Sequence, residues 1–168
     1  MFGGIKTKLH DMSTIGKLCE IAELHALQDG QKRPGAEHFL LAALDLEDGT
    51  ARLAFERVGA NPEGVKRAIA HQYAAALHAM GFTGPTPDRD DDVAPRRSEP
   101  GMYHAAASGQ EVMQALASSR QRHAPLLGAH VVAIVAAMPH GVGARALRAM
   151  GVDAEALRAA AEGVAARA

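Results

Sequence analysis

The chain has 168 residues, 48% of them apolar, only 4% aromatic and none tryptophan. With 18 basic and 19 acidic side chains the formal charge is −1, so the concentrated basic surface that nucleic acid requires is not expected. One cysteine, Cys19, allows no internal disulfide, and neither a signal peptide nor a membrane-spanning apolar run is legible. The expected setting is the cytoplasm, with no membrane partner.

Alanine makes up about a fifth of the chain. It is the strongest helix former and a poor strand former, so the composition points to closely packed helices. Residues 1–11 read as an N-terminal extension. From there Ile15, Leu18, Cys19, Ala22 and Ala26 form an apolar stripe at helical period, with Asp11, Ser13 and Thr14 as candidate N-caps and Gly30 as the stop. A second helix near Ala36–Leu46 is apolar on most sides (Phe39, Leu40, Leu41, Ala43, Leu44), which predicts that it is the buried one. Gly49 opens a short third helix through Ala51, Ala54, Phe55 and Val58, and Gly59 ends it at positive φ. Asn61-Pro62 restarts the chain as N-cap and first helical residue, and Val65, Ile69, Ala76 and Met80 are expected to face inward on a fourth helix.

Residues 81–101 contain four prolines and mixed charges with little to bury, and read as a flexible linker. Beyond it the pattern recurs. Shifted by 92 residues, His38 falls on His130, Phe39 on Val131, Gly49 on Gly141, Phe55 on Leu147, Gly59 on Gly151 and Lys66 on Arg158. Upstream of His130 the match needs a gap of about two residues, so the first connection is expected to be shorter in the second half. Asp153 caps the last helix, with Leu157, Ala161 and Val164 as core. The expectation is an all-α fold of about eight helices: two pseudo-twofold four-helix units, residues 12–80 and 102–168.

The stretches Gly35-Ala36-Glu37-His38-Phe39-Leu40-Leu41-Ala42-Ala43-Leu44, Gly49-Thr50-Ala51 and Val58-Gly59-Ala60-Asn61 resemble the Clp repeat. In the second half the matching run is Gly143-Ala144-Arg145-Ala146-Leu147-Arg148-Ala149-Met150-Gly151-Val152-Asp153. Two such repeats form the N-terminal domain of ClpA- and ClpC-type AAA+ unfoldases. The resemblance implies a module that docks substrate proteins, adaptors or peptide-like small molecules. In ClpC-type relatives the glutamate of each G-x-E-H motif helps to bind phosphorylated arginine. That role carries over to Glu37 alone, since Ala129 stands at the second position. No phosphate-binding G-x-x-x-x-G-K-[ST] loop occurs, so no ATPase activity and no cofactor are expected. The reading is a non-enzymatic, free-standing regulator or decoy of a Clp protease system rather than an excised domain. The alternative is a helical DNA-associated or metal-sensing regulator unrelated to proteolysis.

Other residues admit plainer readings. A carboxylate in the first turn of a helix, as at Glu37, gains about 0.3–1 kcal/mol from the helix dipole whatever else it does. His38 and His130 read as hydrogen-bonded packing residues. The nine histidines include no H-E-x-x-H, and His71 and His78 are two turns apart, so no metal site is expected. Cys19 reads as a small buried hydrophobe, Asp90-Asp91-Asp92 as solvated linker charge, and Arg145, Arg148, Arg158 and Arg167 as an exposed basic face.

Overall fold

All nine residues of Ala36–Leu44 are buried, and the other helices are arranged around this segment. The computed structural model describes residues 3–83, 104–119 and 125–168. Within them the chain forms eight helices and no strand: α1 (Gly3–Gln28), α2 (Ala36–Leu44), α3 (Thr50–Arg57), α4 (Gly64–Ala79), α5 (Ala107–Ser118), α6 (Gly128–Ala136), α7 (Val142–Ala149) and α8 (Ala154–Ala165). The expected linker falls outside the described residues from residue 84 onward, as do Asp90, Asp91 and Asp92.

The duplication is structural. Helices α2 and α6 start and end 92 residues apart, and so do α3 and α7. Phe39 and Val131, paired by that shift, are both fully buried. Gly59 and Gly151 close α3 and α7 with φ of +71° and +70°, a conformation in which a side chain would be strained. Behind each, the third amide past the helix bonds back to a carbonyl of its last turn, Ala60 to Phe55 and Val152 to Leu147. Asp153 caps α8 by accepting the Ala156 amide at 2.9 Å. Asn61 Oδ1 takes the Glu63 amide at 3.0 Å, but this closes a turn ahead of the helix: α4 starts at Gly64 with Glu63 at its N-cap, and not at Asn61-Pro62 as expected.

The two units are interlocked rather than set side by side. Helix α4 packs chiefly against α7 of the other unit, and α8 packs against both α6 of its own unit and α3 of the other, while α2 and α6 meet between them. One continuous core results, with Phe39, Phe55, Leu18, Leu40, Ile69, Leu147 and Leu157 among its largest fully buried side chains.

Four further expectations need correction. Helix α1 starts at Gly3, so residues 3–11 are helix and not an extension. No proline interrupts them, and the presumed caps work otherwise. Thr14 Oγ1 donates back to the His10 carbonyl at 3.0 Å, while Asp11 accepts the Leu126 amide of the second unit at 2.8 Å. Ala76 and Met80 are exposed, because α4, 16 residues long, outruns the 8-residue α7 on which it lies. The α1–α2 connection spans 29–35 and the α5–α6 connection spans 119–127, so the second is longer by two residues. Cys19 is only partly buried, packed against the core edge.

Candidate functional site: the glutamate at the start of α2

Both repeats begin their central helix with the same histidine device. His38 Nδ1 accepts the Gly35 amide at 2.9 Å, and His130 Nδ1 accepts the Leu127 amide at 3.0 Å. Each ring thus satisfies an amide that the first helical turn cannot. In His38 the accepting Nδ1 places the ring proton on Nε2, which lies 3.4 Å from Asp29 Oδ2. The 3.6 Å approach of Nδ1 to Glu37 Oε1 is therefore not an ion pair, since Nδ1 is already an acceptor. The two histidines are hydrogen-bonded packing residues, as their register implied.

Glu37 sits in the first turn of α2 with its side chain 7% exposed. Its carboxylate folds back over Gly35, where an added Cβ would lie 2.6 Å from Oε1 and 2.8 Å from Oε2. Gly35 has extended backbone (φ −96°), so what excludes a side chain there is the space the carboxylate fills. From α4, the Tyr73 hydroxyl donates to Glu37 Oε1, and the Tyr73 ring stacks on His38 with centroids 6.0 Å apart and planes 13° from parallel. Burial, followed by the hydrogen bond to Glu37 and the nearby charges of Glu37 and Asp29, pushes the Tyr73 phenol far above its ordinary value of 10.0, with Arg145 opposing. Beside Glu37, towards Ser108, His140 and Gly143, the free space is about 10 Å³. That is room for about one water. In this conformation Glu37 holds α2, α4 and its own turn together, and a guanidinium would meet an Oε1 already taken by the Tyr73 hydroxyl.

The second repeat solves the same problem differently. With Ala129 in place of the glutamate, the exposed amides of α6 turn to the first repeat: Gly128 donates to Asp48 Oδ2 at 2.9 Å, and Ala129 to Thr50 Oγ1 at 2.9 Å. Asp48 Oδ1 in turn accepts the Thr50 amide and hydroxyl at 2.8 and 2.6 Å. The carboxylate missing from position 129 is thus supplied in trans from the α2–α3 loop, and it occupies the end of α6.

The remaining candidates do not converge. His71 and His78 are exposed on α4, and among the described residues no group of three His, Cys, Asp or Glu side chains is placed to hold a metal ion. Arg158 pairs with Glu155 at 2.7 Å and Arg148 donates to the Pro139 carbonyl at 2.8 Å, while Arg145 and Arg167 are exposed. Sequence reasoning missed Tyr73, Asp29 and Asp48. A signal for Tyr73 existed, because the shift of 92 sets this lone aromatic of α4 opposite Ala165. No helix among the described residues is long and apolar enough to cross a membrane. No protein-family model matches the chain, and no curated protein matches it at a significant level.

Proposed function

We propose that this chain is a non-catalytic, protein- or peptide-binding module of the Clp-repeat kind, acting in the cytoplasm as a regulator or decoy of a Clp protease system. Its partners would be Clp components, adaptors or substrate proteins. The observation that carries the binding reading is a stripe on α1: Ile5, Leu9 and Met12 are 63%, 63% and 62% exposed. Their spacing of four and three residues puts them on one helical face. Contiguous exposed apolar side chains of this size mark interaction surfaces. A helix that presents such a stripe while its other face packs on α2 is suited to receive a partner helix or strand.

The test is capture of purified Clp unfoldase, adaptor and substrate by the full chain and by an Ile5→Ser, Leu9→Ser, Met12→Ser variant. Retention by the wild type and loss by the folded variant supports the proposal; equal retention, or none, sinks it. Phosphoarginine contact at Glu37 is tested separately by titration into wild type and Glu37→Ala. The expected result is weak, single-site binding by the wild type only. Equal binding by both proteins removes Glu37 from any such site.

A further inference from the structure

The second repeat contains a cavity of about 440 Å³ between α5, α6 and α8. That volume lies within the range of small-ligand pockets. Its origin follows from the sequence registers that relate the two repeats. Helices α2 and α4 carry over to α6 and α8 by the shift of 92. The ends of α1 and α5 match at a shift of 90, which also pairs the buried Ala22 and Ala26 with the buried Val112 and Leu116.

Through these registers the cavity is the hollowed counterpart of the polar cluster around His38. In the first repeat larger side chains stand at these positions: Tyr73 stacks on His38, Asp29 flanks the ring, His25 Nε2 meets Asp45 Oδ2 at 2.7 Å, and Leu41 is buried. In the second repeat Tyr73 is replaced by Ala165, Asp29 by Ser119, Leu41 by Ala133, Asp45 by Ala137 and His25 by Ala115. Every one of these smaller residues lines the cavity, and so does the retained His130. Five large side chains have become small while the histidine against which the aromatic ring packed is kept. The mouth lies beside Glu162 and Ala166, both exposed.

We propose that this cavity is a binding site for a neutral aromatic ring, seated against His130 as Tyr73 is seated against His38. The first repeat identifies the occupant: at the corresponding position a half-buried phenol ring supplied by the chain itself stacks on the histidine. An aromatic ring suits the lining: Ala115, Ala133, Ile134 and Ala137 give it apolar walls, and the two charged residues that also line the cavity, Arg158 and Glu162, lie 4.0 Å from each other, with Arg158 also held by Glu155 at 2.7 Å. Apolar cavities of smaller volume are known to take up benzene. The ring could arrive on a free small aromatic molecule or on a side chain of a peptide, and the two sources share this chemistry. The site is in the second repeat and does not depend on the proposed roles of Glu37 or of the α1 stripe.

The experiment is a titration of the full chain followed by backbone amide chemical shifts, with phenol as one probe and N-acetyl-phenylalanine amide as the other. Saturable shifts centred on Ser119, His130, Ala133 and Ala165 are expected from at least one probe, and the tighter of the two identifies the source. Ala165→Tyr restores the side chain of the first repeat and should weaken binding at least about tenfold while the protein stays folded. If that variant does not fold, Ala133→Leu, which copies Leu41, provides the same obstruction. Shifts that do not saturate, that scatter away from α6 and α8, or that persist unchanged in the filled variant overturn the proposal.

Discussion

Gly35, Glu37 and Tyr73 depend on one another, and each can be perturbed singly. In Gly35→Ala the new Cβ would meet a carboxylate that Tyr73 holds in place, at 2.6 Å from Oε1. Overpacking of this kind costs about 1–3 kcal/mol. Glu37→Ala removes the obstacle, so the double variant should be destabilised by less than the sum of the two singles, a coupling that urea denaturation of all four proteins measures. Additive costs would show that Glu37 does not occupy the space over Gly35. Tyr73 also sets a pH dependence. Its phenol titrates higher in the folded chain than its ordinary 10.0, so the neutral form favours folding. That stability is fully present below about pH 10 and is lost as the pH rises further. The urea midpoint should therefore fall between about pH 8 and about pH 11 in the wild type, and fall less in Tyr73→Phe. None of this was legible from single residues: Glu37 could be placed on a first turn by pattern, but Tyr73 lies 36 residues away, and only the packed α4 brings it there.

Helix identities were largely legible, and helix limits less so. The all-round apolar run of α2 and the glycine stops of α3 and α7 follow from period and backbone freedom, both local properties. Gly59→Val should cost on the order of 1–2 kcal/mol from the left-handed conformation alone. Thermal denaturation checks this, and an unchanged midpoint would contradict the φ of +71°. The histidine caps can be tested in the same way. His38→Ala and His130→Ala each orphan one amide and should each cost about 1 kcal/mol or more. His38 should cost more, since it is fully buried and also carries the Tyr73 stack. The start of α1 was misread because Asp11 and Thr14 resemble caps, whereas one bonds to Leu126 and the other within the helix. The end of α4 was misread because periodicity does not reveal where a partner helix stops.

Across the whole molecule, the duplication in the sequence predicted two similar units but not how they are joined. The shift of 92 carries no information on whether α4 lies on its own unit or on the other. In the structure it lies chiefly on α7, whereas α8 packs both on α6 of its own unit and on α3 of the other. Each unit therefore leaves its core open unless the other is present. Residues 1–83 and 104–168, made as separate chains, should show little helix alone, because short helices without tertiary support are marginal. Mixing them should restore the circular dichroism of the intact protein, and stable folding of either fragment by itself would contradict the interlocked packing. The intact chain should unfold in one transition by both far-ultraviolet dichroism and urea titration. This exchange of helices also bears on ancestry. A chain carrying one such unit would satisfy itself by pairing with an identical copy about a twofold axis, each laying its last helix against the third helix of the other. Fusing two copies end to end would free the halves from having to remain alike. One could then keep its interior filled while the other lost side chains from the equivalent place, a divergence that a symmetric pair cannot undergo on one side only.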